Sequence, residues 1–188
     1  MLGESKLDSK LRHKMIAEAT VDRRRQFHTK LNHRGHGHVE QVRNGKLIKK
    51  VSFENDITTE GKNSYLDIMF GGATQITTWY IGLVDNAGFS SFLDADTLAS
   101  HTGWSELTPG TDYTGNRLAW DEGTASAGSL TSTSTTDFPM LTTKTVYGMM
   151  LASVATGSSG KLFATAAFSS TIAVVNGDTL KVTYTVSY

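Results

Sequence analysis

Thr179-Leu180-Lys181-Val182-Thr183-Tyr184-Thr185-Val186-Ser187 alternates without a break. Leu180, Val182, Tyr184 and Val186 fall on one face, and Lys181, Thr183, Thr185 and Ser187 on the other. That is the two-residue period of a strand with one dry face and one face for water or a partner. The same period runs back to Thr74. It predicts strands over 77–84, 117–121, 129–138, 145–153, 161–167 and 179–187. Gly157-Ser158-Ser159-Gly160 and Asn176-Gly177-Asp178 supply turns between them. Asp94-Ala95-Asp96-Thr97-Leu98-Ala99 reads as one helical turn capped by Asp94. Six or more short strands with such turns predict a mainly β fold, an antiparallel β-sandwich of jelly-roll or immunoglobulin-like type.

Upstream the period changes. Residues 59–70 predict a short helix in which Tyr65, Leu66, Met69 and Phe70 share a face and Gly71-Gly72 stops the chain. Before it, Val39, Gln41 and Arg43 lead into Asn44-Gly45, and Leu47-Ile48 leads out towards Val51 and Phe53. Asn-Gly suits the two positive-φ positions of a type I′ hairpin turn. Residues 5–31 predict a helix striped by Leu7, Leu11, Met15, Ile16 and Ala19, fading into Arg23, Arg24 and Arg25 with Phe27 beyond. A stripe this narrow and an isolated hairpin both need a surface to lie against. The expected organisation is therefore a basic anchoring arm over 1–54, helix plus hairpin, and a β-sandwich body over 55–188.

Charge divides the chain in nearly the same place. Residues 1–50 hold 13 Lys/Arg against 5 Asp/Glu, and residues 51–188 hold 5 against 13, so a formal charge of zero conceals two opposed halves. Such an arm can dock on an acidic protein surface, bind nucleic acid through phosphates, or remain solvated. The apolar stripe favours docking on protein. The arm's expected contact residues are Leu7, Leu11, Met15, Arg23, Arg24, Arg25, Phe27, Lys49 and Lys50.

Composition narrows the function. A small body without disulfide staples commonly gains stability by burial against copies of itself or a partner, and that is expected here. With no cysteine there is no disulfide, no thiolate nucleophile and no cysteine-based metal site. No apolar run reaches spanning length, and the charged N-terminus does not read as a secretory signal, so synthesis in a cytoplasm is expected. His33, His36 and His38 can gather round a metal, but their spacing fits no zinc signature and the glycines between them read as a polar hinge. Asp94/Asp96 and Asp121/Glu122 suit turns and caps better than a catalytic pair, since Asp121 and Glu122 on a strand point to opposite faces. No nucleophile-elbow, zincin, Walker or dinucleotide-binding motif occurs, so neither an enzyme nor a cofactor is expected. Trp79 and Trp104 are candidate surface contacts, as inter-subunit aromatics or as a sugar-stacking platform.

Trp79-Tyr80-Ile81-Gly82-Leu83, Gly103-Trp104-Ser105-Glu106, Ala119-Trp120, Val146-Tyr147-Gly148, Lys161-Leu162-Phe163 and 176–185 (Asn-Gly-Asp-Thr-Leu-Lys-Val-Thr-Tyr-Thr) occur in this order. In these blocks the region from Asn55 to Tyr188 resembles structural proteins of tailed-bacteriophage virions. The resemblance implies a virion component with a β-sandwich body, and the basic arm lies outside it. The expectation is a capsid decoration, or cement, protein that clamps the major capsid protein or other virion proteins and forms a homo-oligomer. The alternative is a tail or head-fibre component whose arm anchors it and whose sandwich connects or binds receptor or carbohydrate. No membrane contact is expected.

Overall fold

Strand 179–187 forms as its alternation requires, and the rest of the fold is arranged around it. The computed structural model describes residues 34–187. Leu7, Leu11, Met15, Arg23, Arg24, Arg25, Phe27 and the helix expected over 5–31 lie outside the described residues. The elements are β1 (Arg34–Arg43), β2 (Lys46–Ile57), α1 (Thr59–Phe70), β3 (Tyr80–Asp85), β4 (Leu118–Ala119), β5 (Ser129–Thr131), β6 (Thr136–Pro139), β7 (Lys144–Ala152), β8 (Leu162–Val174) and β9 (Thr179–Ser187).

All strand pairings are antiparallel, in the order β4-β3-β7-β8-β2-β1-β9, with β5 and β6 succeeding one another along the far edge of β9. The sheet curls until its ends meet. Thr133 N donates to the Asp121 carbonyl at 2.8 Å and Gly123 N to the Thr131 carbonyl at 2.9 Å. The strands thus lie along one hydrogen-bonded, curled path, and the chain is mainly β and antiparallel. Inward side chains from nearly every strand share one core: Val39, Phe53, Leu83, Met149, Phe168, Val182 and Tyr184 among them. Leu180, Val182 and Tyr184 are fully buried, the dry face expected of β9.

The β1–β2 hairpin is not part of a separate arm. Its Asn44-Gly45 turn forms with φ of 49° and 75°, but β1 pairs with β9 over Arg34–Val42 and β2 pairs with β8 over Phe53–Ile57. The hairpin therefore lies mid-sheet, and a boundary after residue 54 cuts through β2. The chain divides instead between Asn32 and His33. Gly35 and Gly37 do not make a hinge either. A Cβ on Gly35 would come within 2.4 Å of the Tyr184 hydroxyl, and one on Gly37 within 2.6 Å of the Phe53 ring. The glycines make room for two large core aromatics.

Other local expectations are adjusted. The strand expected over 129–138 breaks into β5 and β6, because Ser132 turns its hydroxyl inward to accept from Trp120 Nε1 at 2.8 Å and donate to the Tyr184 carbonyl. Residues 94–99 form turns rather than a helical turn, because Asp96 folds back to accept the Leu93 N–H. Asp178, in the β8–β9 turn, is fully buried. It accepts from Arg43 Nε at 2.6 Å, Arg43 Nη2 at 2.8 Å, Gln41 Nε2 at 2.7 Å and Val175 N at 3.0 Å. Hydrogen bonding from Arg43 holds its carboxyl down at about 2.

Candidate interaction surface

Helix α1 follows directly from β2 and is fixed by its first turn. The Thr58 hydroxyl accepts from Gly61 N at 3.0 Å and donates to the Leu162 carbonyl at 2.6 Å, so one side chain caps the helix and ties it to β8. Glu60 accepts the N–H groups of Leu98 and Leu162 at 3.1 and 2.8 Å. Gly61 is buried, and a Cβ there would lie 2.2 Å from the Phe163 carbonyl oxygen. Gly71 N returns to the Asp67 carbonyl at 2.9 Å and ends the helix where the glycine pair predicts.

This docking turns the helix the unexpected way. An amphipathic surface helix normally buries its apolar stripe, yet α1 buries Gly61 and Ser64 and leaves Leu66 51%, Met69 56% and Phe70 80% exposed. The small residues win because only they allow the helix to approach β8 so closely. The result is an apolar ridge with a groove on either flank. One groove, about 840 Å³, is lined by polar groups including Glu60, Asn63, Asp67, Thr97 and Lys161. The other, about 340 Å³, is apolar and is lined by residues including Tyr65, Ile68, Met69, Trp79, Leu130, Phe163 and Val186, with Glu122 the one charged group among the described lining residues. Exposed apolar side chains contiguous with an apolar groove mark an interaction surface more often than isolated exposed residues do.

The tryptophans separate. Trp79 is half-buried beside this groove, its ring centroid 5.1 Å from that of Phe163. Trp104 is buried and corrects the expectation of a surface contact. Its Nε1 donates to Asp96 at 2.9 Å, the His101 ring stacks on it at 3.8 Å, and Phe92 meets it edge-on. It anchors a second small core with Val84, Leu98, Met150 and Leu162. With Trp104 buried, Trp79 and Trp104 do not form a shared exposed platform.

Among the arm's expected contacts, two are described. Lys49 Nζ donates to the Thr171 carbonyl at 2.7 Å, and Lys50 pairs with Glu40 at 2.8 Å, which holds the Glu40 carboxyl below its ordinary range. Both stand on the outer part of β2. His36 and His38 project from the outer face of β1, and His33 lies outside the described residues. Among the described residues no three His, Asp or Glu side chains gather as a metal site. Asp121 accepts from Ser134 Oγ at 2.6 Å and Thr133 Oγ1, the turn role expected of it. Asp94 stands exposed, 3.8 Å from Lys62. Among the described residues no helix is long and apolar enough to cross a membrane.

The α1 ridge was within reach of sequence reasoning only in part. The sequence marks its residues as one helix face, but which face docks is decided by Gly61 against Phe163, a contact across 102 positions. No protein-family model matches the chain, and no curated protein matches it.

Proposed function

We propose that this protein is a non-enzymatic structural component of a tailed-phage virion, a decoration protein that attaches to the major capsid protein and stabilises the shell. The observation that carries the reading is the exposed apolar ridge of Leu66, Met69 and Phe70, uncovered among the described residues, beside the Trp79–Phe163 groove. A chain this polar gains little by exposing three large apolar side chains on one helix unless another subunit covers them. The sequence blocks that resemble virion proteins fall within the same body and include Trp79 and Phe163.

On this reading the curled sheet serves as a flattened, sandwich-like body, and the anchoring segment is shorter than the charge pattern suggests. It comprises the residues before β1, with Leu7, Leu11 and Met15 as apolar contacts and Arg23, Arg24 and Arg25 steering towards acidic protein. Many weak attachments on one shell would multiply a modest single affinity.

The test is co-sedimentation of the purified full-length protein with undecorated shells. Leu66→Ser/Met69→Ser/Phe70→Ser should leave the thermal transition in place and reduce shell binding strongly. Full binding by that variant would overturn the role of the ridge. Quantitative mass spectrometry of virions should find copies in the hundreds. A handful per particle would favour a tail or fibre position instead.

A further inference from the structure

β2 is twelve residues long, but β8 pairs with it only from Phe53 to Ile57. Beyond Phe168, strand β8 bulges: Gly148 pairs with Ala167 while Val146 pairs with Ile172, so the four residues 168–171 stand opposite Tyr147 alone. Over residues 46–52, β2 is paired with β1 on one side, and among the described residues no strand pairs with it on the other. Ser169, Ser170 and Thr171, across the gap, are exposed, and the Lys49 side chain reaches over it to the Thr171 carbonyl at 2.7 Å, a contact an added strand would have to displace.

An open strand edge is a template for another strand, and lysines along it discourage pairing with a like copy. Lys46, Lys49 and Lys50 lie on this edge segment, and Glu40 beside them is already engaged by Lys50. Two copies placed edge to edge would set lysine against lysine. An acidic strand would meet complementary charge instead, with Leu47 58% and Ile48 49% exposed to receive its apolar side chains. The chain's own residues 1–33 are a poor match, since they hold 8 Lys/Arg against 4 Asp/Glu.

We propose that the outer edge of β2, residues 46–52, is a strand-addition site that takes an extended acidic segment of a partner protein. Backbone hydrogen bonds supply the docking, and the lysines select the sign of charge. This site is distinct from the α1 ridge and does not depend on the decoration reading.

The test uses full-length protein and three end-blocked nonapeptides. One alternates Glu with Val, one alternates Lys with Val, and one is the Glu–Val peptide N-methylated at alternate amides along its outward-bonding side. Backbone amide shifts and hydrogen exchange are followed by NMR. The Glu–Val peptide should shift and protect residues 46–52, the Lys–Val peptide should not, and N-methylation should abolish the protection. Lys46→Glu/Lys49→Glu should weaken Glu–Val binding about tenfold or more, since two favourable charge contacts become repulsive. Overturning results are no protection, equal binding of the N-methylated peptide, or shifts confined to the α1 groove. Outward-pointing amides of residues 46–52 already protected in the free protein would also overturn it, since a segment of this chain or a second copy would then hold the edge; the amides that bond β1 are protected in either case.

Discussion

Replacing Asp178 by Asn should loosen the end of the sheet where β1, β8 and β9 converge. The carboxylate is fully buried and accepts four hydrogen bonds, two from the Arg43 fork, one from Gln41 and one from the Val175 N–H. Asparagine keeps the shape but offers one acceptor oxygen and turns an amide N–H₂ towards a guanidinium. Removing one member of a buried pair costs about 3–5 kcal/mol when the other is left stranded. Arg43 is 39% exposed and can regain water, so the lower end applies. The depressed carboxyl follows from the same contacts and gives a similar size. A drop from 3.8 to about 2 corresponds to about 2 kcal/mol of folding stability. Because the folded-state value is depressed, that contribution is complete above pH about 4 and disappears as pH falls through about 2. Urea unfolding should therefore show Asp178→Asn less stable by about 2–3 kcal/mol at pH 7, with the gap shrinking to under roughly 1 kcal/mol by pH 2. A difference below about 0.5 kcal/mol at pH 7, or one that does not change with pH, would refute the reasoning.

Gly61→Ala places a methyl 2.2 Å from the Phe163 carbonyl and should cost about 2 kcal/mol or more, with unchanged urea stability as the contrary result. Trp104→Phe removes the indole bond to buried Asp96 and should cost about 1.5–3 kcal/mol in the same assay while shell binding is retained. Arg117 forks onto Glu106 and also holds the Val154 and Gly157 carbonyls. Arg117→Met should cost about 3–5 kcal/mol by stranding Glu106, and Arg117→Met/Glu106→Leu should be less destabilised than Arg117→Met alone. A double variant that is the worse of the two would contradict the account of the pair.

The sequence declares elements whose cause is local. Alternation in 179–187 reads directly as β9, Gly71-Gly72 stops α1 at Phe70, and Asn44-Gly45 closes its hairpin. What it conceals depends on partners far along the chain. The hairpin looks self-contained until β9, more than 130 positions away, pairs with β1. Gly35 and Gly37 look like a flexible joint until Tyr184 and Phe53 occupy the space they leave. The apolar face of α1 looks like a docking face, and only the approach of Gly61 to β8 shows that it points outward. Trp104 looks like a surface aromatic because nothing local announces that Met150 and Leu162, some fifty positions on, will bury it. The candidate surface was thus legible as residues but not as an orientation.

On the proposed reading, another virion subunit covers the α1 ridge. A density map of the intact particle that carries this protein tests it most directly. Leu66, Met69 and Phe70 should be packed against a neighbouring subunit, with the Trp79–Phe163 groove closed over. The same residues facing solvent in the assembled particle would contradict it.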